Sequence, residues 1–260
     1  MISIDPTLIR EIADKGKRLD NRKHDEYREI KIEKGVVTSA EGSARVQIGN
    51  TKVVAGLKMD VGEPFGDTPN EGVIMVGAEF VPLASPEFES GPPGENAIEL
   101  ARVVDRAIRE SKILNMEKLC IKEGEKVWMI FIDIDILDDD GNLIDASSLA
   151  AMAALQDARL PKLDENSKVV TGEKTSEKLP LKGAALSTTF VKIGNSILAD
   201  PSHPEFEALD ARLTVGTFSE GSQTKFCSMQ KGGPEGLSFE DVSKMLDMAQ
   251  KKGDELRALL

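Results

Sequence analysis

Two cysteines, Cys120 and Cys227, occur in 260 residues, far apart and in no CxxC pairing. That scarcity excludes a disulfide framework and a thiolate zinc site. Histidine is equally scarce: His24 and His203 stand apart without suggestive neighbours, which argues against a histidine-based triad or metal centre. Apolar runs stop after a handful of residues, far short of the roughly 20 that a membrane-crossing helix needs. The first residues, MISIDPTLIREIADKGKR, lack the basic-then-apolar order of a secretion signal. The expectation is a cytoplasmic protein with no membrane contact. Positive charge is also short: 33 Lys and Arg stand against 45 Asp and Glu, for a formal net charge of -12. Generic binding to nucleic acid needs basic surface against phosphate, so any such contact must use a local patch or a neighbour's charge. What remains is 40% hydrophobic and 30% charged, which suits a folded globular chain of one large domain or two small ones.

Asp5-Pro6 reads as a helix start, with aspartate as N-cap and proline at the first helical position. Leu8, Ile9 and Ile12 make that helix amphipathic as far as Gly16, and KRLDNRKHDEYR then reads as a polar connection. Strand patterning runs over residues 29–58, with a hairpin turn at Gly49-Asn50. A Gly, Pro and acid-rich loop precedes the strand VIMVGAEFVPL, and a second loop, ASPEFESGPPGE, leads into a helix over 96–114. KVWMIFIDIDIL is a strand with Ile130, Ile132, Ile134 and Ile136 on one face. ASSLAAMAALQDARLP predicts a helix stopped by Pro161. LDENSKVVTGEKTSEK reads as polar and exposed. Strands follow in GAALSTTFVKIGNSILAD, DARLTVGTFSE and KFCSMQK, and a last helix is capped by Ser238.

VQIGNTKVVA and VKIGNSILA are alike, and their Gly-Asn pairs at Gly49 and Gly194 lie 145 residues apart (194 − 49). The same offset carries Asn96 to Asp241, in the first turn of the last helix. The chain is therefore read as one α+β domain, 1–260, with an internal pseudo-repeat at roughly 29–114 and 183–260, each half a set of strands followed by a long helix. Two unrelated hairpin turns are the alternative.

The helix over 96–114 carries ELARVVDRAIRES. At 100° per residue from Ala97, the positions Ala101, Val104, Ile108, Leu100, Val103, Ala107 and Leu114 form an apolar stripe, while Arg102, Arg106 and Arg109 fall at roughly 140°, 180° and 120°, opposite it. Asp105–Arg109 and Arg106–Glu110 are i,i+4 ion pairs worth roughly 0.2–0.5 kcal/mol each, but Arg102–Arg106 is a like-charge pair with a similar cost. Ile98 and Ile113 fall on the arginine side, where a plain solvated face does not need them. Arginine suits bidentate phosphate contact. Spacing alone leaves both readings open: an ordinary solvated face, or a face for phosphate or a partner.

Asp133 and Asp135 share a strand face and Asp138, Asp139 and Asp140 follow. No calcium-loop spacing fits: counting back from Asp140-Gly141, the first ligand position would be Ile136 and the last Ser147. Solvation of a strand end and turn accounts for these acids. A helix start after Gly141 could hold an anion on free N–H groups, but no lysine or arginine occurs between Gly141 and Ala158 to support one.

Four segments together, at 18–64, 99–111, 127–155 and 198–215, resemble the RNase PH family of phosphorolytic exoribonucleases, over most of the chain. The resemblance implies an RNase PH-like fold built from a duplicated β-α unit. Active members carry Gly-Ser/Thr-Arg after the central strand to cradle inorganic phosphate, and this chain reads Gly141-Asn142-Leu143 there. Active members carry paired arginines before the long helix, and this chain reads Pro93-Gly94-Glu95-Asn96. The Asp-rich catalytic segment is represented by DPSHPEFEALD, with Asp200 and Asp210 at an altered spacing around Pro204-Glu205-Phe206. Without the phosphate-binding arginine nothing neutralises the attacking phosphate. The pattern is similar to the non-catalytic RNase PH-like subunits of the archaeal exosome. That implies no catalytic residue, metal or cofactor of its own. It also implies a hexameric ring, a trimer of heterodimers with a catalytic RNase PH-like subunit, RNA-binding cap subunits, and degradation of single-stranded RNA from 3′ to 5′. By position, Arg102 and Arg106, with Arg109, are the expected RNA-binding residues. Two other readings remain: an active exoribonuclease using Asp200, Glu205 or Asp210 as general acid, and a purely structural ring subunit.

Overall fold

The computed structural model describes residues 4–220 and 223–260. In chain order the elements are α1 (Pro6–Asp14), β1 (Ile30–Lys34), β2 (Gly42–Ile48), β3 (Thr51–Gly62), β4 (Val73–Phe80), α2 (Glu95–Ser111), β5 (Cys120–Lys122), β6 (Lys126–Asp138), α3 (Leu143–Asp157), β7 (Arg159–Leu163), β8 (Val169–Lys178), β9 (Ala185–Ile193), β10 (Ser196–Ala199), α4 (His203–Glu207), β11 (Ala211–Glu220), β12 (Gln223–Gly232) and α5 (Phe239–Arg257). One sheet has the order β1-β2-β3-β6-β4, with β5 added beside β6, and a second has the order β10-β9-β11-β12. All pairings are antiparallel except β4 with β6.

Both Gly-Asn turns form as the spacing predicts: Ile48 pairs with Thr51 and Ile193 with Ser196 across two-residue loops. In each, only the glycine lies in the left-handed region, Gly49 at φ 59° and Gly194 at φ 58°, as expected where glycine leads a type II′ turn. The two hairpins nevertheless occupy different places. In the first, the second strand β3 is interior, between β2 and β6; in the second, β10 is an edge and β9 is interior.

The four isoleucines of β6 are buried while Met129, Phe131, Asp133 and Asp135 are partly or fully exposed, the period-2 signature of a sheet covered on one side. The second sheet has no such alternation: β9 and β11 are buried at nearly every position. α2 and α3 lie between the two sheets, and α5 covers the second sheet's other face, where Met245 and Ala249 meet Phe190 and Val215. This sandwiching explains the alanine-rich composition of α3, buried on almost every side. β2 crosses α3 so closely at Gly42 that a Cβ there would stand 2.4 Å from the Ala154 carbonyl oxygen.

Two expectations need correction, the ends of α3 and α2, and a third reading is extended. α3 ends at Asp157, not at Pro161: Ala158 is extended, the Arg159 N–H bonds to the Glu41 carbonyl, and Pro161 sits within β7. The segment read as polar and exposed is mostly so, and it also forms a strand, β8, that pairs with β7 as a two-stranded ribbon whose exposed side chains conceal the strand pattern. α2 stops at Ser111 because Lys112 turns left-handed at φ 53°. Ile113 therefore leaves the helical wheel and is buried at 2% exposure, so only Ile98 remains on the arginine side.

Candidate nucleic-acid interface

The inner face of α2 is as its period predicts. Ala97, Leu100, Ala101, Val103, Val104, Ala107 and Ile108 are buried, the larger of them worth roughly 1.5–3 kcal/mol each. Glu95 in the first turn and Arg109 in the last complement the helix dipole. Arg102, Arg106 and Arg109 are all exposed, but their commitments differ. Arg109 is tied down, pairing with Asp105 at 2.7 Å and donating to the Ile74 carbonyl at 2.9 Å. The Asp105 hydrogen bond raises its pKa further. Arg106 reaches Gln230 on β12 only at 3.5 Å, and the expected pair with Glu110 does not form; Glu99, two turns earlier, is taken by Arg212 of β11. Arg102 has no hydrogen bond or ion pair among the described residues. The ridge thus offers one free guanidinium, one loosely held and one anchored.

The segments that would carry phosphorolysis converge at the start of α3. Asn142 caps the helix in a left-handed conformation without a side-chain cap bond. Its Nδ2 donates instead to Asp200 at 2.7 Å and Asp145 at 3.0 Å. Asp200 is fully buried. It accepts from Arg28 Nε at 2.9 Å and Nη2 at 2.8 Å, from the Arg28 backbone N–H at 2.9 Å, and from Arg22 Nη1 at 2.8 Å. Burial alone would raise its pKa, but these arginine contacts outweigh it and hold the carboxyl below the ordinary range. Glu205 is buried against Arg18, whose Nε is 2.8 Å from Oε1 and which also binds the carbonyls of Ala199 and Asp200. Asp210 pairs with Arg10 and accepts from Gly194 N–H at 2.7 Å. All three candidate general acids are paired with arginines. Asp145, also buried, has its pKa pushed to about 6 by desolvation, against hydrogen bonds from Tyr27, Thr189 and Asn142.

Beside Asn142 lies a small cavity of about 160 Å³. Glu87, Glu99, Asp139 and Glu207 line it, against Arg212 and His203. Arg212 is already paired with Glu99, and burial raises the Asp139 pKa. An entering phosphate would meet carboxylates where it needs cations. Asp133 and Asp135 lie elsewhere, on the uncovered face of β6 next to Glu79 of β4, and no group of three metal-type ligands occurs among the described residues.

Sequence reading missed the arginines of KRLDNRKHDEYR. Arg18, Arg22 and Arg28 come from that supposed connection, 172–187 residues from their acids. The one signal in the sequence was its three arginines and the matching acids of DPSHPEFEALD.

Two helix-layered sheets and an exposed arginine ridge beside a carboxylate-lined pocket define an RNase PH-like α+β protein. Models of the 3′ exoribonuclease family match residues 26–161 as its domain 1 and 183–252 as its domain 2, and the chain belongs to that family. It is 49% identical over 249 residues to the exosome complex component Rrp42 of Methanothermobacter thermautotrophicus, covering 95% of this chain and 91% of that one. It is 50% identical over 252 residues to the protein of the same name from Methanocella arvoryzae, covering 97% and 94%. Among solved structures it resembles a chain of an Archaeoglobus fulgidus exosome described as having RNA bound to the active site. The TM-score is 0.88 at 44% identity, covering 97% of this chain and 96% of that one. A chain of an archaeal exosome core matches with a TM-score of 0.84 at 42% identity, covering 97% and 94%. No helix among the described residues is long and apolar enough to cross a membrane.

Proposed function

We propose that this chain is a non-catalytic subunit of an archaeal exosome that degrades RNA from its 3′ end with phosphate. In this reading it joins a catalytic RNase PH-like subunit in a hexameric ring bearing RNA-binding cap subunits, working in the cytoplasm. It lends Arg102 and Arg106 to the RNA path, and Arg109 supports the ridge from behind. The carrying observation is the division of charge. Arg102 has no partner among the described residues, while Asp200, Glu205 and Asp210 are locked by arginines and the pocket at Asn142 is lined mostly with carboxylates. Phosphorolysis needs a phosphate oxygen delivered to the terminal phosphodiester while cations offset the gathering negative charge. This chain supplies cations to an RNA strand, whereas the arginine in the pocket at Asn142, Arg212, is already paired with Glu99. The names of its relatives, exosome component Rrp42 and an exosome with bound RNA, support the same assignment.

The test is phosphate-dependent release of nucleoside diphosphates from single-stranded RNA, by the chain alone and with a catalytic RNase PH-like partner. The lone chain should release none and the mixture should be active. Sustained release by the chain alone would overturn the assignment.

A further inference from the structure

The N-terminal end of α2 opens onto a groove of about 560 Å³, formed by β4 and the loop that follows it. Its apolar walls include Phe80, Phe88, Pro92 and Pro93. Its charged lining is Glu79, Glu87, Glu89 and Glu95, with no lysine, arginine or histidine. None of these four carboxylates has an ion pair among the described residues, whereas Glu99, Asp200, Glu205 and Asp210 each have an arginine. The repulsion is felt nearby: Asp135, opposite Glu79 in the ladder, has a raised pKa from burial and then from Glu79 and Asp133. The groove shares Phe80, Glu87, Phe88 and Asn96 with the small cavity at the start of α3. There Asn142, 2% exposed, lines the cavity, and its Oδ1 has no hydrogen-bond partner. A buried acceptor without a donor is costly, and the cavity it lines also holds Glu87, Asp139 and Glu207, which have no ion pair among the described residues, beside the Arg212–Glu99 pair.

We propose that this groove binds an extended segment of another protein, in which lysine or arginine alternates with apolar residues. One basic side chain enters the inner cavity and donates to Asn142 Oδ1. The long stem of such a side chain packs on apolar walls while its head meets carboxylates. RNA does not fit, because its phosphates would face the four acids. A polyamine would satisfy the charge but leave the phenyl and proline walls unfilled. This groove and the arginine ridge therefore take opposite kinds of partner.

Fluorescence anisotropy of the full chain with a short labelled peptide alternating Lys or Arg with Leu or Pro tests this. Binding should saturate and weaken with added salt. Glu87→Gln with Glu89→Gln should weaken it at least about tenfold, and replacing the peptide's leucines and prolines by glycine should weaken it as well. Glu235→Gln with Glu240→Gln, exposed acids outside the groove, should leave it unchanged. Absence of binding, equal weakening in both double variants, or equal binding of the glycine peptide would each overturn the proposal.

Discussion

Arg102 is exposed and has no hydrogen bond or ion pair among the described residues, and that makes it a clean probe. Arg102→Ala removes no partner, so thermal stability should not move. In the assembled complex RNA affinity should fall, and the slope of log affinity against log salt should shrink by about 0.7 for each phosphate of a single strand that is no longer neutralised. Arg109→Ala should act differently. It breaks the Asp105 pair and the bond to the Ile74 carbonyl, lowering stability by about 1 kcal/mol, measurable by urea titration. The arginine face was legible because a 3.6-residue period fixes direction. Which arginine is free was not, because Ile74 and Gln230 are distant in sequence and the period is blind to them.

Asp145 gives a pH signature at the same scale. Burial lifts its folded-state pKa to about 6 from an ordinary 3.8. The folded chain therefore holds that proton more tightly than the unfolded one. This stabilisation is complete below about pH 4 and lost as pH rises through 6. Asp145→Asn abolishes the titration. Between pH 4 and 7.5 the stability of the wild type relative to the variant should drop by on the order of 3 kcal/mol, read from urea midpoints at the two pH values. A gap that does not change with pH would mean the carboxylate is already ionised in the fold.

At the scale of elements, β2 comes so close to α3 at Gly42 that an added Cβ would meet the helix backbone. Gly42→Ala forces the strand from the helix and should cost about 1–3 kcal/mol by overpacking, seen as a lower melting temperature. The elements themselves were largely readable: hairpin turns, the isoleucine strand, and helices announced by Asp5 and Ser238, whose side chains accept from Thr7 and Asp241 N–H. The β7–β8 ribbon was not, because a strand pair with little buried side carries no hydrophobic alternation. Nor was the role of residues 18–28. A buried arginine resembles a surface one in sequence, and only Asp200 and Glu205, far along the chain, give it meaning.

For the molecule as a whole, we take the chain as one cooperative domain despite its two matching family segments. α3 belongs to the first segment, yet Asp145 and Ser148 bind Thr189 and Ser187 of β9 in the second. Residues 26–161 produced alone should show no sharp thermal transition by circular dichroism, since α3 would lose one of its two walls. A cooperative melt of that fragment would instead establish two independent domains. The overall architecture follows from the likeness of four segments to one family. The charge layout, with arginines on α2 and acids beneath its opposite end, needed the folded chain.

The placement of α1 has a consequence in time. Ile9 and Ala13 pack with Val191, Ile193, Leu198 and Ala208, so α1 finds its seat only when β9, β10 and α4, far along the chain, emerge. During synthesis on the ribosome it must wait, its apolar side uncovered, until β9 and α4 have followed it out. Its closing onto them is then a late event, a clasp that shuts only once β9, β10 and α4 have been made.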